Sequence, residues 1–96
     1  MSSLLRKARA GDVEAFVQLF EPLRPTVHMV ARTLVGEPDA EDVVMETYLK
    51  AWTHLPGYRG GASLKTWLLR IARNAALDVL RRRASRPTSS LSGEST

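Results

Sequence analysis

Apolar residues recur every three or four positions over most of the chain, which is the spacing of one face of an α-helix. The first such stretch is short, from about Ser3 to Ala10, and ends at Gly11. A second begins after Asp12, whose side chain can accept a free N–H of the first turn. Its apolar positions should face the core: Ala15, Phe16, Leu19 and Phe20. No alternating strand pattern competes, so the sequence predicts an all-α fold.

Two prolines interrupt the pattern in the segment FEPLRPTV. Proline lacks a backbone N–H and clashes with the preceding turn, so we expect a break or strong kink at Pro22 and Pro25. Helical spacing resumes in TVHMVARTLVG, where four residues are predicted to point inward: Val27, Val30, Ala31 and Leu34.

Two longer helices follow, separated by the loop LPGYRGGAS, which holds three glycines and a proline. The first runs from about Asp39 to His54, and its predicted inward residues are Ala40, Val44, Thr47, Tyr48, Ala51 and Trp52. Ser63 is predicted to cap the second. Its predicted buried stripe is Leu64, Trp67, Leu68, Ile71, Ala72, Ala75 and Val79. Together the segments predict a small bundle of four to five helices.

Length and composition fit one folded domain over residues 1–86, followed by a disordered Ser/Thr-rich linker over 87–96. The chain has no cysteine, and His28 and His54 lack a ligand-type spacing, so neither a metal site nor another cofactor is expected. No apolar run approaches the roughly 20 residues that span a bilayer. We therefore expect a cytoplasmic protein without membrane insertion.

Charge is distributed unevenly along the chain, whose net charge is +4. Residues 37–54 carry five acids and one lysine, a net charge of −4, whereas residues 59–86 carry eight bases and one acid, a net charge of +7. An acidic middle and a basic end indicate two surfaces with different partners.

The outer face of the acidic helix combines Asp42 and Glu46 with the apolar residues Met45 and Leu49. Single apolar residues on a surface are common, so a face without function is one interpretation. Acids around an apolar centre would also suit a basic, partly apolar helical partner.

The outer face of the last helix is basic. It carries Lys65, Arg70, Arg73, Asn74, Leu77 and Arg81, and it ends in the run Arg81, Arg82 and Arg83. The helix dipole favours cations in a last turn, but it does not explain the bases one to three turns earlier. Nucleic acid is the natural anionic partner, because arginine pairs well with phosphate and base edges.

The loop before this helix places Tyr58 and Arg59 among Gly57, Gly60 and Gly61. Glycines let backbone approach a ligand closely, and stacking a base on an aromatic ring contributes roughly 1–3 kcal/mol. The alternative is a plain interhelical loop whose tyrosine caps the core. The sequence leaves both interpretations open.

Three segments together resemble region 2 of a bacterial sigma factor of the extracytoplasmic-function type: AGDVEAFVQLFEPLRPTVHMVARTLVG, PDAEDVVMETYLKAW and YRGGASLKTWLLRIARNAALDVLRRR. The resemblance covers about residues 4–86. It implies that the acidic helix binds the clamp helices of the β′ subunit of core RNA polymerase. Asp42 and Glu46 match the family's polymerase-binding acids, flanked by Met45 and Leu49; Met45 stands where the family usually has glutamine.

The resemblance also implies that residues 55–62, with Tyr58, Arg59, Gly60 and Gly61, capture a flipped base of the minus-ten promoter element. The last helix would then hold the non-template strand through Lys65, Arg70, Arg73, Arg81 and Arg82, with Asn74 at the family's strand-separating position. It implies an anti-sigma protein as a further partner and a second helical domain beyond the linker.

Other functions remain open. A sigma-like decoy that only sequesters an anti-sigma protein would not need the basic face. A general single-strand-binding module would show no preference among minus-ten sequences. No paired acid and base, nucleophile or phosphate loop is visible, so we do not expect an enzyme.

Overall fold

Residues 3–85 are described by the structure, a computed structural model. Within them the chain forms five α-helices and no strand: α1 Ser3–Arg9, α2 Val13–Phe20, α3 Arg24–Val35, α4 Asp39–His54 and α5 Leu64–Ser85. Two 3-10 turns, Glu21–Leu23 and Leu55–Gly57, follow α2 and α4. The prediction of an all-α bundle is confirmed. The predicted linker over 87–96 lies outside the described residues.

Side-chain caps set two helix starts as predicted. The Asp12 carboxylate accepts the Ala15 N–H at 3.1 Å. The Ser63 hydroxyl oxygen accepts the Thr66 N–H, also at 3.1 Å. Each cap satisfies one of the amide groups that a first turn leaves without a partner.

The predicted break at the two prolines is also present. Pro22 lies inside the first 3-10 turn, and Pro25 occupies the first turn of α3, where its missing N–H leaves no hydrogen bond unmade. Helix α3 ends at Gly36, whose φ of +73° is a conformation that residues with a Cβ rarely adopt.

The core lies where α5 packs against both α3 and α4, while α1 packs on α2. Its largest fully buried side chains are Phe20, Val27, Val43, Thr47, Leu55 and Leu68. Val43 and Ala76 are buried although the sequence stripes omitted them. Each long helix meets neighbours on two sides, which widens its buried face beyond one stripe. None of the helices in residues 3–85 combines the length and apolar character that crossing a membrane requires.

The end of α5 contacts the junction between α3 and α4 through Arg83. An Arg83 amino group donates to the Val35 carbonyl at 2.8 Å and forms an ion pair with Asp39. This contact brings the basic end of the last helix close to the acidic start of α4.

Candidate nucleic-acid interface

A surface pocket of about 330 Å³ lies between the loop after α4 and the start of α5. We call it the loop pocket; it is lined by Gly57, Tyr58, Arg59, Gly61, Ala62, Trp67 and Arg70. The structure thus brings four of the predicted DNA-binding residues together at one concave site.

Tyr58 does not present an exposed ring. The residue is only 8% exposed, and its hydroxyl donates to the Ala62 carbonyl. Its ring centroid lies 5.4 Å from that of Trp67, a residue of the predicted buried stripe that is half-buried in the structure. Of the two interpretations that the sequence leaves open, the structure supports a Tyr58 ring packed on the core, because the hydroxyl finds its partner within the loop and the ring packs on α5. The two aromatic side chains form the pocket wall.

Glycines leave the pocket mouth open. A Cβ built on Gly57 or Gly61 would meet no heavy atom within 4 Å. Gly60 differs from them, because its φ of +82° requires the left-handed conformation that glycine tolerates best. Gly61 therefore faces free space, whereas Gly60 shapes the turn.

Four cations of the loop and the first half of α5 lack acidic partners, and two of them, Arg59 and Arg70, line the loop pocket. Arg59, Lys65, Arg70 and Arg73 are exposed and make no ion pair within residues 3–85. By contrast, five other cations each contact a carboxylate: Arg24, Arg32, Lys50, Arg81 and Arg83. Four of the cations without a carboxylate partner therefore lie on the loop and the first half of α5, and Arg6, Lys7 and Arg82 likewise make no ion pair within residues 3–85.

The remaining predicted DNA-binding residues lie further along α5. Asn74 is exposed one turn after Arg70. Arg81 is paired with Asp78, and Arg82 lines a different cavity, of about 210 Å³, together with Asp39 and Asp42. Twelve residues of helix separate Arg70 from Arg82, roughly 18 Å. Arg81 and Arg82 consequently do not join the loop pocket.

The acidic face of α4 lies on another part of the surface. Asp42 is exposed, and Met45 and Leu49 are 67% and 62% exposed. Glu46 is half-exposed, and its carboxylate lies 3.4 Å from the Lys50 ammonium. The predicted polymerase-binding residues thus share one outer face, with the two apolar side chains beside the two acids.

This face continues into an apolar groove of about 410 Å³ between α2 and α4. Met45 and Leu49 line the groove together with Val13 and Val17 of α2, two exposed residues that sequence reasoning missed. Their spacing of four residues on the outer side of α2 was the available signal.

Trp52 also lines this groove, although the sequence placed it inside the core. It is 37% exposed, and its ring meets Phe16 edge-on at a centroid distance of 5.2 Å. Trp52 therefore belongs to the surface of the groove.

Tyr48 holds α4 to the end of α2. Its hydroxyl donates to the Phe20 carbonyl at 3.2 Å, and the Arg24 guanidinium lies 5.0 Å from the ring centroid. Burial raises the pKa of Tyr48 above its usual value; the positive charge of Arg24 opposes this rise, and Glu21 adds to it.

Comparison with known proteins decides the family. The model of the family described as Sigma-70 region 2 matches residues 19–86. The chain belongs to the sigma-70 region 2 family. Both the loop pocket and the acidic face lie inside the matched residues, whereas α1 and most of α2 precede them.

Curated relatives of this region 2 are named as sigma factors of the extracytoplasmic-function type, which confirms the resemblance drawn from the sequence. The ECF RNA polymerase sigma factor SigG of Mycobacterium tuberculosis (strain H37Rv) is 42% identical over 80 residues, covering 82% of this chain and 21% of the relative. The ECF RNA polymerase sigma-E factor of Escherichia coli (strain K12) is 36% identical over 87 residues, covering 91% of this chain and 46% of the relative. The chain thus spans between about a fifth and a half of these proteins.

A solved structure shares this fold. An engineered region 2 of sigmaE, determined by NMR in complex with GTAAAA, aligns with a TM-score of 0.78 and 30% sequence identity. The alignment covers 88% of this chain and 95% of that one.

Within residues 3–85 no three His, Cys, Asp or Glu side chains are grouped as a metal site would require.

Proposed function

We propose that this region 2 acts in transcription initiation in the bacterial cytoplasm. It would bind the non-template strand of the minus-ten promoter element and hold one base of that strand, flipped out of the stack, in the loop pocket. The observation that carries this proposal is a concave pocket with an open glycine mouth, lined by Arg59 and Arg70, which no acid in residues 3–85 neutralises. The similar sigmaE region 2 solved in complex with GTAAAA supports it.

The pocket has the chemistry that a displaced base needs. Unstacking a base costs a few kcal/mol, so the site must return contacts to both the face and the edge of the base. The aromatic wall of Tyr58 and Trp67 offers apolar contact, while Arg59 and Arg70 offer hydrogen-bond donors at the rim. Arginines along α5 would hold the phosphates on either side of the base, which adds affinity without sequence preference.

We further propose that the acidic face of α4 binds the clamp helices of the β′ subunit. Asp42 and Glu46 would meet basic residues, and Met45 and Leu49 would fill apolar positions between them. An interface of this kind combines an apolar centre with a charged rim that orients the partner. An anti-sigma protein that covered the same face would compete with polymerase.

A scan of abasic sites tests base capture. Single-stranded oligonucleotides carrying the minus-ten element would be titrated with the domain, each lacking one base. We expect one position to weaken binding far more than its neighbours, because a single base occupies the loop pocket. Uniform losses at all positions would instead support a general single-strand-binding module. If no oligonucleotide bound in the presence or absence of a β′ clamp fragment, the decoy function would replace ours.

Charge reversal tests the polymerase face. Asp42→Lys should reduce affinity for a β′ clamp fragment by several kcal/mol, since attraction becomes repulsion. Glu14→Lys is the matched control: both acids lie in the first turn of a helix, so both changes affect a helix dipole similarly, but Glu14 belongs to α2 and not to the acidic face of α4. Equal affinities for the two variants in a pull-down would remove this face from the proposal.

A further inference from the structure

Helix α1 lies directly beside the loop that forms the pocket. The Arg9 guanidinium donates to the Pro56 carbonyl at 3.1 Å, and Pro56 immediately precedes Gly57 of the loop pocket. A shallow cavity of about 350 Å³ separates the two elements and is lined by Arg6, Arg9, Ala10 and Pro56. Helix α1 and the turn before the loop pocket therefore line one shared cavity.

This part of the surface is basic. The sequence of α1, SLLRKAR, contains three cations and no acid. Arg6 is exposed and makes no ion pair within residues 3–85. A helix dipole favours a cation in the last turn, but it does not select the side that faces the loop.

We propose that Arg6 extends the nucleic-acid surface and contacts a phosphate of the same strand whose base occupies the loop pocket. Helix α5 bounds that pocket through Trp67 and Arg70, so the nucleotides on one side of the captured base would follow α5. The nucleotides on its other side would pass over Pro56 and meet Arg6, whose guanidinium can pair with a phosphate through two N–H groups. Arg9 acts as a positioning residue, because it fixes α1 against the loop. The inference rests on the proposed function.

Lys7 provides an internal control. It carries the same charge on the same helix, but it does not line the cavity beside Pro56. Adjacent residues point about 100° apart around a helix of 3.6 residues per turn, so a strand that reaches Arg6 from the loop does not also meet Lys7.

The experiment compares a short oligonucleotide, limited to the captured base and its two neighbours, with versions extended by four nucleotides at the 5′ or the 3′ end. Binding would be measured by fluorescence anisotropy between 50 and 200 mM salt. Wild-type protein should gain affinity from either extension. In Arg6→Ala the affinity gained from one of the two extensions should fall. For that oligonucleotide the slope of log affinity against log salt concentration should become shallower by about 0.7, so the loss of affinity between 50 and 200 mM salt should be roughly threefold smaller. Lys7→Ala should match wild type, and Arg6→Lys should retain the slope.

Two outcomes would overturn the inference: equal behaviour of Arg6→Ala and Lys7→Ala, or an equal decrease at both ends. Neither would affect base capture, which the abasic scan of minus-ten oligonucleotides reports separately. Conversely, the abasic scan could find no preferred position while Arg6→Ala still lost affinity for the oligonucleotide extended at one end. That result would mean that α1 binds single strands and that the loop pocket does not hold a base. Circular dichroism of each variant would verify that the exposed substitutions leave the helical content unchanged.

Discussion

The Tyr58 side chain packs on the core and also lines the loop pocket. Its position among glycines predicted a ring offered to solvent, and its hydrophobic character predicted a cap on the core. In the structure the Tyr58 ring packs against Trp67, and its hydroxyl donates a hydrogen bond to the Ala62 carbonyl. Sequence could not decide between these because the direction of a loop side chain depends on where α5 lies. A base in the loop pocket would therefore touch the wall that Tyr58 and Trp67 make together.

Gly61 gives the sharpest test at this scale. Gly61→Val should leave the fold intact, since an added Cβ meets no heavy atom within 4 Å, but the new side chain would occupy the mouth of the loop pocket. We expect the preference at one minus-ten position to disappear while affinity for the β′ clamp fragment is unchanged, measured with abasic and intact oligonucleotides.

Gly60→Val is a poorer probe, because the positive φ of Gly60 would impose strain of roughly 1–2 kcal/mol on any residue with a Cβ. A thermal melt separates the two variants: only Gly60→Val should lose stability. Retained base preference in a folded Gly61→Val protein would show that the base is held elsewhere.

The helices were largely predictable from sequence because their ends carry local signals. Asp12, Ser63, Gly36 and the two prolines fix boundaries through short-range hydrogen bonding and backbone geometry. Which residue faces inward was less predictable, since it depends on neighbours distant in the chain. Trp52 was misplaced for this reason: the groove that it lines needs α2, more than thirty residues earlier.

Tyr48 links α4 to the end of α2, and it makes the stability of the fold depend on pH in the alkaline range. Its pKa in the folded protein is raised, mainly by burial, above the value of 10.0 expected when exposed. The folded state thus favours the protonated phenol, so stability from this group is present below pH 10 and is lost as pH rises through the folded pKa.

Replacing Tyr48 with phenylalanine should cost about 1 kcal/mol at pH 7, because the hydroxyl no longer donates to the Phe20 carbonyl. The variant should also lose less stability than wild type between pH 9.5 and 11. Urea unfolding across this range measures both effects. Parallel curves for the two proteins would contradict the assignment of the alkaline response to Tyr48.

At the scale of the whole molecule, the two candidate surfaces use different helices of one bundle. The loop pocket and its cations belong to the loop and α5, and the acidic face belongs to α4 and the groove beside it. The charge pattern of the sequence predicted this division. It could not predict that Arg82 would lie beside Asp42, because the fold brings the end of α5 to the start of α4.

The unpaired cations on the loop and the first half of α5 also have a consequence for folding. Like charges held close together repel, so this surface should lower the thermal stability of the free domain. Arg70 and Arg73 lie three residues apart on one helix, a spacing at which repulsion costs about 0.2–0.5 kcal/mol. Arg73→Gln should therefore raise the melting temperature in low salt by about 1–3 °C, since glutamine matches arginine in helix propensity.

Calorimetry in 20 mM and 300 mM salt would check this, with Arg32→Gln as control, because Arg32 is near a carboxylate and should not gain stability when neutralised. An unchanged melting temperature for Arg73→Gln in low salt would mean that the repulsion is negligible. Otherwise, added salt should act on this domain in opposite directions: it would screen the repulsion and stabilise the fold, and it would weaken the attraction to DNA. The ionic strength at which the domain is most stable would then differ from that at which it binds DNA most tightly.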